Sequence, residues 1–173
     1  RKGVQYLIEA FNQLALSDIE LLLVGSLDES MRPRLEQAIR ENPRIKHISH
    51  LPKAELSRLY NQAAVFVLPS LADSWGLVVL EAMACGLPVI VTENTGSGEV
   101  VEDGVNGYIV PIRDSQALSE KLIYLYQNAE ARNKMGQAAL QTIGRYTWEH
   151  YGQQILAVYR QILTQRQKFV SAD

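Results

Sequence analysis

The spacing of apolar residues changes along the chain in a way that predicts helices alternating with strands. Between Gly3 and Leu16, the residues Val4, Leu7, Ile8, Phe11 and Leu14 recur at the three- and four-residue steps of an amphipathic helix. Glu20 to Val24 reads as a strand. Ser30 to Glu41 reads as a second helix, with Pro33 in the first turn, where a missing N–H forfeits no hydrogen bond. Ile45 to Ile48 is a short strand, Lys53 to Gln62 a helix and Val65 to Leu68 a strand. Gly76 to Cys85 follows as a helix, Val89 to Val91 as a strand, and Asp114 to Gln127 as a helix with Leu118, Leu122 and Leu125 on one face. The strand segments are unbroken apolar runs, as expected where helices cover both faces of a sheet. Their alternation with helices implies an α/β fold with a Rossmann-like parallel sheet. Toward the end the strands stop. Ala129 to Tyr146 and Thr147 to about Arg166 read as extra helices, the second with a wide stripe of Trp148, Tyr151, Ile155, Val158, Tyr159 and Ile162. Part of that stripe is expected to be exposed or paired with another chain.

The stretch from Val65 to Val91 carries the most chemistry. Pro69 and Ser70 end a buried strand, and a short loop leads to Asp73 and Ser74, whose side-chain oxygens suit the N-cap of the next helix. Gly86 fits the left-handed position after that helix, and Pro88 stops it. The loop therefore lies at the carboxyl end of a strand, where open α/β sheets bind ligands. Gly76 lacks a side chain, so amides around Trp75, Gly76 and Leu77 can approach an anion at the helix start. Glu81 lies further into the helix, and its carboxylate can accept from two adjacent hydroxyls, as a ribose diol offers them. Asp73 would face whatever hangs from the other end of the phosphates. Read only locally, the same two residues are a helix cap and a solvated helix-face charge.

The complete string resembles a known signature. Asp73, seven residues, then Glu81-Ala-Met-Ala-Cys-Gly-Leu-Pro-Val-Ile90 is similar to the nucleotide-sugar motif of glycosyltransferase family 4, which has the GT-B fold. Lys2-Gly3 with Leu7, Ala10 and Phe11 resembles that family's helix opening, and Leu21 to Gly25 its next strand and turn. Gly96 to Pro111 resembles its second glycine loop and the turn that follows. Nearly the whole chain is covered. The resemblance implies the carboxyl-terminal, donor-binding domain of a hexosyltransferase. The intact enzyme would move a sugar from a nucleotide diphosphate sugar to an acceptor, retaining configuration and needing neither metal nor other cofactor. Carried over position by position, Lys2 meets the donor diphosphate, Glu81 holds the ribose, and Asp73 fixes donor-sugar hydroxyls as the catalytic position. Ser74, Trp75, Gly76 and Leu77 flank the phosphates, Gly25 lies in the turn that approaches them, and His50 and Leu51 wall the nucleobase.

This sequence departs from the family pattern in three respects. Asp73 stands where Glu is usual and is one methylene shorter, and the turn after Val24 reads Gly-Ser instead of Gly-x-Gly. Family members also carry a strand and an arginine shortly before the Lys-Gly pair, and an amino-terminal acceptor domain before that. Arg1 adjoins the lysine and does not match that arginine by position. The chain is accordingly expected to be a fragment, inactive alone, whose partners are a nucleotide sugar and the amino-terminal domain of the same enzyme. Self-association through the last helix is the further possibility. Rival readings are a related GT-B epimerase or phosphorylase, or a non-catalytic sugar-nucleotide-binding or assembly module.

Composition narrows the remaining classes. In 173 residues, 47% are apolar and 21% charged, ordinary for one globular domain, and the formal charge of −2 offers no attraction to nucleic acid. The single cysteine, Cys85, lies among Ala82, Met83, Ala84 and Gly86 and reads as a small buried hydrophobe. With no signal peptide or membrane-length apolar run in this sequence, the expected compartment is cytoplasmic, with peripheral membrane attachment left open for the full-length protein. Asp103-Gly104 and Asn106-Gly107 read as turns, and His47 and His150 receive no role.

Overall fold

The computed structural model describes the backbone of residues 1–170 and the side-chain surroundings of residues 1–164. Helix α1 (Val4–Gln13) leads to β1 (Leu21–Val24), and α2 (Arg32–Glu41) to β2 (Ile45–Ile48). Next come α3 (Lys53–Gln62), β3 (Phe66–Leu68), α4 (Leu77–Ala84), β4 (Val89–Thr92) and β5 (Gly107–Val110). Three helices close the chain: α5 (Ser115–Gln127), α6 (Ala129–Ile143) and α7 (Trp148–Val170). All strand pairings are parallel, as the helix-strand alternation implies.

The expected single sheet is in two pieces. β1 pairs with β2, and β3, β4 and β5 form a second sheet with β4 in the centre. Among the described residues nothing pairs with the free edge of β1 or of β3, and Leu22 and Val24 of β1 remain exposed. The centre of the second sheet is dry: Val89, Ile90, Val91 and Thr92 are all buried. Each fully buried Val or Ile there contributes about 1.5–3 kcal/mol of burial free energy.

β5 is a strand that the apolar pattern does not single out. Gly-Tyr-Ile-Val is short and opens on Asn106-Gly107, which reads as a turn. Asn106 makes the strand possible: it is buried, accepts from the Glu102 amide at 2.8 Å, and donates to the Val100 carbonyl and Thr142 Oγ1, both at 3.1 Å. Gly107 begins the strand because a Cβ there would lie 2.5 Å from the Val89 carbonyl oxygen.

Helix α4 ends as expected. Gly86 has φ +73°, its amide bonds to the Met83 carbonyl and the Leu87 amide to the Ala82 carbonyl, the paired bonds of a Schellman stop. Helix α6 packs directly on this turn, since a Cβ on Gly136 would lie 2.2 Å from the Gly86 carbonyl oxygen. Helix α7 carries the apolar stripe outward. Trp148, Tyr151, Val158, Tyr159 and Ile162 are exposed and Ile155 is half-buried. No described helix is long and apolar enough to cross a membrane.

Candidate functional site

Three segments meet at the carboxyl end of β3 and β4. The first is the chain before α1. Gly3 has φ +65° and is buried so closely against β3 that a Cβ would lie 1.8 Å from the Pro69 carbonyl oxygen. A glycine is therefore required beside Lys2 on steric grounds. The Leu71 amide donates to the Arg1 carbonyl at 2.9 Å, tying this segment to the second one, the loop from Pro69 to Gly76.

The third segment follows β4 and continues its pairing with the loop. The Asp73 amide donates to the Asn94 carbonyl and the Gly96 amide to the Asp73 carbonyl, both at 3.1 Å. The Asn94 side-chain amide reaches the Leu71 carbonyl at 3.3 Å, and the Thr92 hydroxyl donates to the Ser70 carbonyl. Gly96 serves close approach, because a Cβ there would lie 2.1 Å from the Ser74 carbonyl oxygen, whereas Gly98 faces open space.

Asp73 does not cap α4. The N-cap is Gly76, at φ +66° and without a side-chain hydrogen bond. A left-handed entry turns the chain before the helix starts, so neither Asp73 nor Ser74 is placed to reach the first helical amides. The Asp73 carboxylate instead accepts from Lys2 Nζ. That hydrogen bond, with the charges of Lys2 and Arg1 and the Trp75 backbone amide, holds the Asp73 carboxyl below its usual value against the opposing effect of burial. Its side chain is 8% exposed and that of Lys2 55%, so the cation can reach solvent and the carboxylate barely can.

The other candidates lie on α4 and on the loops after β1 and β2. Ser74, Trp75 and Leu77 are exposed at the start of α4, and Glu81 is exposed on the same helix. The phenol of Tyr60, from α3, is pushed up to about 12 mainly by its burial, with the Glu81 charge adding to the effect. A tyrosine on a neighbouring helix thus sits within the field of Glu81, a relation across 21 positions that no local pattern carries. Gly25 and His50 follow β1 and β2 at the carboxyl end of the other sheet. The Gly25 amide bonds to the Ile48 carbonyl, and its carbonyl is engaged by His47 Nε2, both at 2.9 Å. His47, not His50, thus has the structural bond. His50 is exposed and Leu51 half-buried, and neither they nor Gly25 make a side-chain bond to the Lys2 and Asp73 pair.

Two hydroxyls add to the site. Ser97 Oγ and Ser70 Oγ are fully buried without a hydrogen-bond partner, and Ser97 Oγ lies 3.2 Å from where a Gly76 Cβ would be. The start of α4 therefore has a bare glycine, exposed flanking residues and an unspent hydroxyl beside it. Such an arrangement suits an anion, which helix-end amides and their partial positive charge favour. Among the described residues no three His, Cys, Asp or Glu side chains gather as a metal site.

Comparison with known proteins gives this arrangement a family. Residues 1–142 match the family described as glycosyl transferases group 1. The chain is 30% identical over 171 residues to the phosphatidyl-myo-inositol mannosyltransferase of Mycobacterium leprae, covering 97% of this chain and 45% of that protein. It therefore spans less than half the length of this relative. Among solved structures, sucrose-phosphate synthase from Thermosynechococcus elongatus superimposes with a TM-score of 0.83 at 29% identity, over 95% of this chain and 43% of the other. Anabaena HepE in complex with UDP gives a TM-score of 0.83 at 26% identity, over 92% and 45%. With its parallel strands between helices and its match over most of the sequence, the chain belongs to the glycosyl transferases group 1 family and has the α/β architecture of GT-B glycosyltransferases.

Proposed function

We propose that this chain is the donor half of an enzyme that transfers a hexosyl group from a nucleoside diphosphate sugar. The observation that carries the reading is the convergence of Lys2, Asp73 and the start of α4 at one sheet end. The leaving group of such a transfer is a diphosphate, whose developing charge needs preorganised positive groups. Lys2 and the amides at Gly76 and Leu77 supply them. Asp73 holds donor-sugar hydroxyls and so positions the anomeric carbon. Glu81 takes the ribose diol, and Gly25, His50 and Leu51 border the base. Retention of configuration and independence of metal belong to the same proposal. The complex of HepE with UDP makes UDP the first nucleotide to try.

The acceptor site, in this reading, belongs to an amino-terminal domain, without which the chain is inactive. One feature supports that division: the exposed stripe of α7 offers a surface that a second domain can cover. Saturation-transfer NMR with UDP, GDP, ADP and their glucose esters tests the donor site. Binding of at least one diphosphate by the folded chain is expected, and binding of none would remove the reading.

A further inference from the structure

Lys2 and Asp73 are 71 positions apart, yet each is held in place by backbone contacts that do not depend on its charge. Lys2 adjoins the buried Gly3 and the Arg1 carbonyl that Leu71 engages, and Asp73 is bonded through both its amide and its carbonyl to the loop after β4. The Lys2 backbone is thus fixed beside the carboxylate, while its side chain, 55% exposed, is free to turn from Asp73 toward a ligand. The cation that the donor reading assigns to the diphosphate is paired with the carboxylate assigned to the sugar.

Resting on that reading, we propose that Asp73 and the donor diphosphate compete for Lys2, so that the site separates the nucleotide sugar from the nucleoside diphosphate left after transfer. When the nucleotide sugar binds, phosphate oxygens take Lys2 and the sugar hydroxyls replace it as hydrogen-bond donors to Asp73. After transfer the hydroxyls are gone. The product then leaves a nearly buried carboxylate beside the phosphates with no cation of its own, an arrangement that costs free energy until Asp73 recovers Lys2. Recovery of Lys2 loosens the product. Asp73 is in this account a specificity-determining residue as well as a positioning one, and the ion pair is a device for product release.

The test is calorimetric titration of the native chain, Asp73→Asn, Lys2→Gln and the double variant. The probes are UDP, GDP and ADP, the matching nucleosides and the matching glucose esters, in low salt. For the diphosphate that the native chain binds, Asp73→Asn should tighten binding about three- to fivefold, the range an ion pair of this exposure supports. Nucleoside affinity should not move, and the glucose ester should gain less than the diphosphate or lose affinity. In the Lys2→Gln background the gain from Asp73→Asn should shrink, and in every case it should fall as salt rises. Asp73→Ala provides the same comparison should the Asn variant not fold. Native binding with no gain, or a gain shared equally by the nucleoside, overturns the competition and leaves the donor site standing. Absence of diphosphate binding to the native chain and to both Asp73 variants overturns both.

Discussion

Replacing Gly3 by Ala tests whether the chain start is part of the site or merely lies near it. The substitution meets two obstacles. Its backbone has φ +65°, a left-handed conformation that costs an L-residue about 1–2 kcal/mol, and its Cβ would overlap the Pro69 carbonyl oxygen at 1.8 Å. Side-chain movement cannot relieve a clash with backbone. The chain can respond only by peeling residues 1–3 away from β3, which gives up the Leu71 to Arg1 hydrogen bond and the Lys2 to Asp73 ion pair. One net hydrogen bond of about 1 kcal/mol and one half-exposed pair of under about 1 kcal/mol therefore cap the loss near 2 kcal/mol. For a domain of this size that is a fall in Tm of at most about 4–8 °C, measured by far-UV circular dichroism. Gly98→Ala is the control, because its Cβ meets nothing within 4 Å and its φ is not positive; it should melt within a degree or two of the native chain. Nucleotide affinity should fall in Gly3→Ala by more than its small loss of stability suggests, since Lys2 is displaced. Equal melting and equal affinity in Gly3→Ala and Gly98→Ala would refute the close packing of Gly3 against Pro69.

Other outcomes are expected from the same geometry. Glu81→Gln should weaken nucleotide binding severalfold in titration calorimetry, with denaturant stability changing by less than about 0.5 kcal/mol because Glu81 is exposed; unchanged affinity removes the ribose assignment. Ile90→Ala, in the buried centre of β4, should cost about 2–5 kcal/mol by urea denaturation, and a cost under about 1 kcal/mol would mean the site collapses freely. The Asp73 carboxyl titrates below its ordinary value in the folded chain, so its stabilisation is complete above the unfolded value near pH 4 and is lost as pH falls through the folded one. Asp73→Asn should consequently narrow the loss of stability between pH 5 and pH 2, and an identical acid profile would argue against the pair with Lys2.

What the sequence discloses and what it withholds divide along range. Helices and most strands are legible because period and capping are local: the Gly86 stop of α4 and the span of α3 follow from neighbours a few positions away. β5 escapes because it begins on a glycine inside an Asn-Gly pair that reads as a turn, and its position depends on Asn106 bonding to Val100 and, across 36 positions, to Thr142. The division of the sheet is legible only through the resemblance, which expects a further strand ahead of Lys2; among the described residues the edges of β1 and β3 have no partner.

The same distinction decides the role of Asp73. As a string, Asp-Ser ahead of a helix predicts a cap, and that local preference loses to a left-handed glycine three positions on, which turns the helix start away from both side chains. Once the cap is lost, the carboxylate is nearly buried and needs a counter-charge, and the only cation bonded to it among the described residues is Lys2, delivered by a glycine that tolerates contact with Pro69. Gly3, Gly76 and Gly96 are thus one device seen in three places. Each removes a side chain where two backbones must touch or turn, and together they bring a lysine, a carboxylate and a helix start to one sheet end. Charge at this site is consequently set by backbone shape. A variant that restores a Cβ at any of these glycines should disturb ligand affinity without altering a charged residue.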